Sequence, residues 1–218
     1  LPEGVPLAQR LEQIRRSLEH LAACGVEVGR GQVSTAEVDD QEWENAWKAY
    51  YKPVKVGRRI LVTPTWEKVE PQPDEILVQL DPGMAFGTGT PPTTVQCVRF
   101  LEQLLQGGES CLDVGCGSGI LSIAAAKLGA KKVLAVDLDP VAVRSARFNV
   151  AQNRVEGIVQ VLENDLVEGI GGCWDLAVAN ILAPVILRAI PGVSRLLAPG
   201  GFFVAAGVVG KEEPRIRE

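Results

Sequence analysis

The run from Ser110 to Pro140, SCLDVGCGSGILSIAAAKLGAKKVLAVDLDP, leaves this chain few folds to choose from. Cys111–Val114 is a short apolar run of β character, and Gly115, Gly117 and Gly119 crowd the turn after it. Ile120–Leu128 reads as an Ala-rich helix, and Lys132–Val136 as a second strand that ends on Asp137. Strand, glycine turn, helix and strand make a right-handed βαβ unit, the usual seat of an adenosine-bearing cofactor. Glycine permits positive φ and lets backbone approach a ligand closely. The first N–H groups of the next helix can then bind anionic atoms. An acidic side chain about 20 residues on, at the tip of the second strand, is placed to hold two ribose hydroxyls.

Spacing narrows the ligand. A dinucleotide site takes G-x-G-x-x-G, and its third glycine would fall where Ile120 stands. A β-branched residue there blocks the close backbone approach that a pyrophosphate needs. The motif is instead G-x-G-x-G within DVGCGSG, followed by VDLDP at the end of the next strand. That pattern resembles the first two motifs of class I S-adenosylmethionine-dependent methyltransferases, a resemblance that implies S-adenosyl-L-methionine as the cofactor.

Composition removes other classes. At 218 residues the chain has room for one good-sized domain and a smaller one. Its apolar content of 46% and mean hydropathy of +0.12 supply an ample core. A formal charge of −5 argues against a general nucleic-acid coat, although it allows a local basic patch. No apolar run approaches the 18 or so residues of a membrane span, and no signal peptide is visible. The five cysteines are odd in number and share no ligand spacing, and His20 is the only histidine, which argues against a zinc centre. Reduced thiols in a cytoplasmic protein are the expectation.

Before the glycine turn, Leu7, Leu11, Ile14, Leu18 and Leu21 form one apolar stripe on a helix from about Pro6 to Cys24, stopped by Gly25. Gln32–Val38 reads as a strand, Gln41–Ala49 as a short helix and Arg59–Thr63 as another strand. Three of the four tryptophans (Trp43, Trp47, Trp66) and both tyrosines fall in this region. They either complete a small core or form a partner-docking face. Lys52, Lys55, Arg58 and Arg59 cluster beside them, either as a solvated group or as one that steers an RNA-bound partner. Glu70-Pro-Gln-Pro-Asp74 reads as a linker. The expected division is a partial N-terminal domain over 1–70, a linker and leading strand over 71–80, and a cofactor domain over 81–218.

Ile76–Leu80 is a strand, and the glycine- and threonine-rich DPGMAFGTGTPPTT of residues 81–94 must be a loop. Thr93 or Thr94 can cap the helix that carries Cys97, Leu101 and Leu104. After the βαβ unit, Asp139 and Pro140 stand at Ncap and N1 of a helix reaching about Asn153. Strands follow at Ile158–Leu162, Trp174–Ala179 (ending on Asn180) and Phe202–Ala206. Helical turns from Pro184 to Leu197 are interrupted at Pro191, and Pro199-Gly200-Gly201 is a turn. The predicted class is α/β: a doubly wound, mostly parallel Rossmann-like sheet with a small partial α+β N-terminal domain.

DPGMAFGTGTPPTT, LDVGCGSGILSIAAAKLGAKKV, VDLDP, VANIL and LAPGG, in that order, resemble the PrmA family, which methylates ribosomal protein L11. EVDDQEWENAWKAYYKPVKVG resembles that family's substrate-recognition domain. The resemblance implies transfer of methyl groups to lysine ε-amino and N-terminal α-amino groups of that ribosomal protein, with indirect contact to rRNA. It implies that Gly115, Gly117 and the turn around them face the methionine part of the cofactor, and that Asp137 accepts from both ribose hydroxyls. It places Thr94 against the cofactor. Asn180, whose amide and adjacent carbonyl can accept from amines, is the residue assigned to catalysis. Asp165 is either an adenine-edge acceptor or an ordinary turn former. The family loop commonly reads GTGTHPTT, and Pro91 stands at the histidine position here. The family's fold also continues past a fifth strand, so the sheet is expected to be incomplete at Glu218. Rival readings are a class I methyltransferase acting on another protein or a nucleic-acid amino group, an inactive cofactor-binding relic, and a nicotinamide oxidoreductase.

Overall fold

A computed structural model of the chain describes residues 6–35, 51–81 and 92–208. The chain packs as two units, Leu1–Tyr50 and Tyr51–Glu218. In the first, helix α1 spans Leu7–Ala23. Gly25 takes φ +80°, and the Gly25 and Val26 N–H groups donate to the Ala22 and Leu21 carbonyls. This is the Schellman ending that a glycine just past a helix allows. None of α1 is buried; Leu7, Ile14 and Leu21 of the apolar stripe are all exposed. Residues 32–35 form no strand. The rest of that predicted strand and the helix with Trp43 and Trp47 lie outside the described residues.

Among the described residues, the larger unit holds two sheets. In the smaller, β1 (Val54–Val56) pairs antiparallel with β2 (Ile60–Pro64), and β2 pairs parallel with β3 (Ile76–Leu80). The Glu70–Asp74 stretch is therefore a connection between two paired strands, and the break in packing falls after Tyr50 rather than at 70. Prolines and acids mark a solvated crossing; they do not say whether the strands on either side pair. The two lysines of the basic cluster are paired with carboxylates. Lys52 pairs with Glu67 at 3.2 Å and Lys55 with Glu75 at 2.8 Å. The Glu102 carboxylate accepts from the N–H groups of Arg58, Arg59 and Ile60 at the β1–β2 turn.

The larger sheet has β4 (Ser110–Val114) at its centre, between β5 (Lys132–Asp137) and β7 (Trp174–Asn180). Outside these lie β6 (Val159–Glu163) and β8 (Leu197–Ala206), and every pairing is parallel. Buried on both faces, β4 is enclosed along its whole length, as a central parallel strand must be. Alternate residues serve opposite faces. Cys111, Val133, Ala135 and Val178 join one core with Cys97 and Leu101 of α2 (Pro92–Leu104). Leu112, Leu134, Val136 and Ala177 join another with Ala189 and Val193 of α5 (Ala183–Leu196). The first core also takes α3 (Ile120–Lys127), buried from Ile120 to Ala126, and the inner face of α4 (Pro140–Gln152). Helices thus cover both faces of a parallel sheet, the predicted doubly wound class.

Two details differ from expectation. Pro191 sits inside an uninterrupted α5. The buried face through Ile186, Ala189 and Val193 carries that helix past the hydrogen bond a proline cannot make. The Pro199-Gly200-Gly201 turn lies within the span of β8. Trp174 pairs with Leu197 and Leu176 with Phe202, so residues 198–201 bulge out of register. No helix among the described residues is long and apolar enough to cross a membrane. No His, Cys, Asp and Glu cluster among them can hold a metal.

Candidate functional site

Strand order reverses beside β4: the chain steps outward from β4 to β5 and β6, then crosses back to β7 on the other side of β4. Open α/β sheets bind ligands at such a switch point, beyond the carboxyl ends of the strands. A crevice of about 580 Å³ lies there, walled by Gly115, Asp137 and Asn180 from just beyond β4 and from the ends of β5 and β7.

The turn after β4 is held from beneath. The N–H groups of Gly115 and Cys116 both donate to the Val136 carbonyl, at 2.8 and 3.0 Å. Gly115 has φ +76°, and a Cβ there would collide with Cγ2 of Ile181. Only glycine fits both the conformation and the space. The Asp137 carboxylate accepts from the Gly117 N–H at 2.9 Å through Oδ2 and from the Asp139 N–H at 3.0 Å through Oδ1. These bonds fix its orientation and leave a lone pair on each oxygen for a ligand. Asp139 caps α4 as expected, accepting from the Val141 N–H at 2.8 Å.

Asn180 donates through Nδ2 to Oγ1 of Thr94 at 3.1 Å. Thr94 is buried within α2 and Thr93 forms part of the crevice wall, so neither is the helix cap expected of it. Of the residues singled out in the sequence, Gly115, Asp137 and Asn180 meet in the crevice. Thr94 stands behind Asn180, and Gly117 acts on the wall through Asp137. Ile120 is buried in the core and does not wall the crevice. Pro91 lies outside the described residues.

The crevice is also lined by Ile181 and Leu182, which fall in the VANIL motif, and by Val185 and Leu166, which sequence patterns did not single out. Asp165 is in the wall too, paired with Arg188 of α5 at 3.1 Å. Arg188 carries no motif signal, because only the fold brings α5 beside the loop after β6. Beneath the turn, Asp113 is fully enclosed. Its Oδ2 accepts from Ser122 Oγ at 2.6 Å, its Oδ1 has no partner, and burial pushes its pKa up to about 6. Burial also pushes the Cys97 thiol up to about 12, and the Cys116 thiol is raised by burial and by Asp113. Neither is a thiolate nucleophile at neutral pH. Among the described residues, the crevice wall contains no His and no Cys. Carboxylate, amide and aliphatic groups together suit the binding and orientation of a polyhydroxylated, partly apolar ligand.

Comparison with known proteins bears on which ligand. The family described as ribosomal protein L11 methyltransferase (PrmA) matches residues 6–218. A ribosomal protein L11 methyltransferase of Halalkalibacterium halodurans is 49% identical over 212 residues, 97% of this chain and 68% of that one. The crystal structure of a ribosomal protein L11 methylase from Lactobacillus delbrueckii subsp. bulgaricus superposes with a TM-score of 0.72 at 36% identity, covering 77% of this chain and 86% of that one. A more distant 16S rRNA methyltransferase (RsmC) of T. thermophilus, solved with AdoMet and guanosine, gives a TM-score of 0.50 at 26% identity over 56% of this chain and 36% of that one.

Proposed function

The chain belongs to the ribosomal protein L11 methyltransferase (PrmA) family, and on that premise we propose that it is an S-adenosyl-L-methionine-dependent N-methyltransferase acting on lysine ε-amino and N-terminal α-amino groups of ribosomal protein L11. What carries the reading is the meeting of Gly115, Asp137 and Asn180, three motif residues far apart in sequence, around one crevice. A nucleoside fits the groups present. Each Asp137 oxygen keeps acceptor capacity for a ribose hydroxyl, and the glycine turn clears space that a side chain at 115 would fill. Gly115 and its neighbours would face the methionine part, with Gly117 holding the Asp137 carboxylate in place. The bound sulfonium supplies an already activated methyl group.

The protein's part is then orientation and exclusion of water. The accepting amine must be neutral. For a lysine near pKa 10.4, deprotonation at pH 7 costs about 4–5 kcal/mol, whereas an α-amino group near 8 costs far less. Among the described residues, the crevice wall offers no histidine or thiolate as base. Asn180 fills the orienting role. With Nδ2 directed at Thr94, its Oδ1 and the adjacent backbone carbonyl are the acceptors we assign to the cofactor amine and the incoming amine, whose proton escapes to water. The residues after Asn180 are Ile181 and Leu182, with no aromatic to stack on a base, which favours an alkylamine over a nucleic-acid amino group. Transfer of labelled methyl from S-adenosylmethionine to purified ribosomal protein L11, with peptide mapping, tests the proposal. Label on lysine and the N-terminal amine is expected; label on rRNA alone refutes it.

A further inference from the structure

Asn149 and Asn153 stand one turn apart on the inner side of the α4 end. Asn149 is wholly buried and uses both halves of its amide: Oδ1 accepts from the Asp81 N–H at 2.8 Å, and Nδ2 donates to the Ser118 carbonyl at 2.9 Å. Asn153 accepts from the Gln79 N–H at 2.9 Å and donates to the Gln79 carbonyl at 2.6 Å. Together the two amides give the end of β3 the donor and acceptor row that a neighbouring strand would give. Only Asn149 goes further. Its second bond reaches the glycine turn, in which Ser118 is buried. One helical turn earlier Ala146 packs against Gly119 so closely that a Cβ on the glycine would lie 3.2 Å away.

Besides the Gly117 N–H bond to Asp137, the glycine turn is thus moored at both ends. At its start, Gly115 and Cys116 hang from Val136 of β5. At its end, Ser118 hangs from Asn149 of α4. A buried amide whose two hydrogen bonds span two segments fixes their relative position, because losing either bond leaves a polar group unpaired in the core. We propose that Asn149 is a positioning residue for the cofactor, setting the glycine turn against the crevice and coupling it to the chain at Asp81; this rests on the cofactor reading above. Asn153, which pairs with the same strand but makes no bond to the turn, is the built-in control.

Asn149→Leu and Asn153→Leu each remove buried amide bonds at nearly constant shape, so both should lower stability to denaturant by similar amounts. Calorimetric titration with S-adenosylhomocysteine separates them. Affinity should fall about tenfold in Asn149→Leu and stay within about twofold in Asn153→Leu, as expected for one displaced hydrogen-bond anchor. Equal affinities in the two variants overturn the inference. Hydrogen exchange on the unaltered protein decides the matter should the variants fail to fold. Saturating S-adenosylhomocysteine should slow exchange of the Asp81 amide together with those of the glycine turn, and protection of the turn alone overturns the coupling. An unaltered protein that does not bind S-adenosylhomocysteine refutes the cofactor reading and the inference with it; binding indifferent to Asn149 refutes the inference alone.

Discussion

Asn180 Nδ2 lies 3.1 Å from Thr94 Oγ1, joining the tip of β7 to the first turns of α2 across 86 positions of sequence. The bond decides which face of the amide the crevice receives. Replacing Thr94 by Val keeps the shape and removes the acceptor, so Asn180 loses its anchor. A methyl-transfer rate about tenfold lower is expected, matching the loss of one buried hydrogen bond of roughly 1–1.5 kcal/mol. Thr94→Ser should restore most of it. Equal rates for the Val and Ser variants in a methyl-transfer assay would dissociate Thr94 from the amide's role.

Asp137→Ala removes the acceptor at the tip of β5 and releases the Gly117 and Asp139 N–H groups. Two charge-assisted bonds to a sugar amount to roughly 3 kcal/mol, so cofactor affinity should drop about a hundredfold. Titration with S-adenosylhomocysteine reads this directly.

Gly115→Ala places a methyl group in the left-handed region and into Ile181. The backbone alone costs about 1–2 kcal/mol, and the collision adds to it. The midpoint of denaturant unfolding should fall and cofactor binding should be lost, because Ile181 also walls the crevice. A variant with unchanged midpoint and affinity would mean that the turn can open without penalty.

Asp113 carries a pH signature. Its folded pKa, about 6, stands above the ordinary 3.8, chiefly because burial disfavours the charged form, with Ser122 opposing and Asp137 adding to the rise. Across that interval the folded state holds more protons than the unfolded state, so this carboxyl's contribution to stability falls as pH rises from about 4 to 6. The loss is on the order of 2–3 kcal/mol. Asp113→Asn removes the titration. The unfolding free energy of the original protein minus that of the variant, measured from pH 4 to 8, should decline through this window and then level off. A flat difference would place the charge elsewhere.

The larger sheet was legible because its signals are local. A glycine turn requires positive φ, a buried strand needs a run such as Leu112-Asp113-Val114, and Asp139-Pro140 marks a helix start by its own bonds. What escaped was long-range. β1 has only the length of Val54–Val56, too short to show a period, and becomes a strand by pairing with β2. Glu70–Asp74 has the composition of a linker, yet the pairing of Ile60 with Ile76 keeps both its ends in one unit. Pro191 breaks a helix locally, but the buried face of α5 outweighs it. At the site, residues attached to motifs (Gly115, Asp137, Asn180) could be read from sequence. Arg188 and Asn149 could not, since each matters through a partner more than 20 positions away.

The side-by-side arrangement of β5, β4 and β7 also sets an order of events during synthesis. The Asp137 carboxylate is in place once the chain has passed Asp139 and the glycine turn gains its last anchor with Asn149, but the amide wall waits for β7, docked through Ser110 and Asp175 across 65 positions. A nascent chain still short of Asn180 therefore carries only one side of the proposed binding crevice, and the other side is added last.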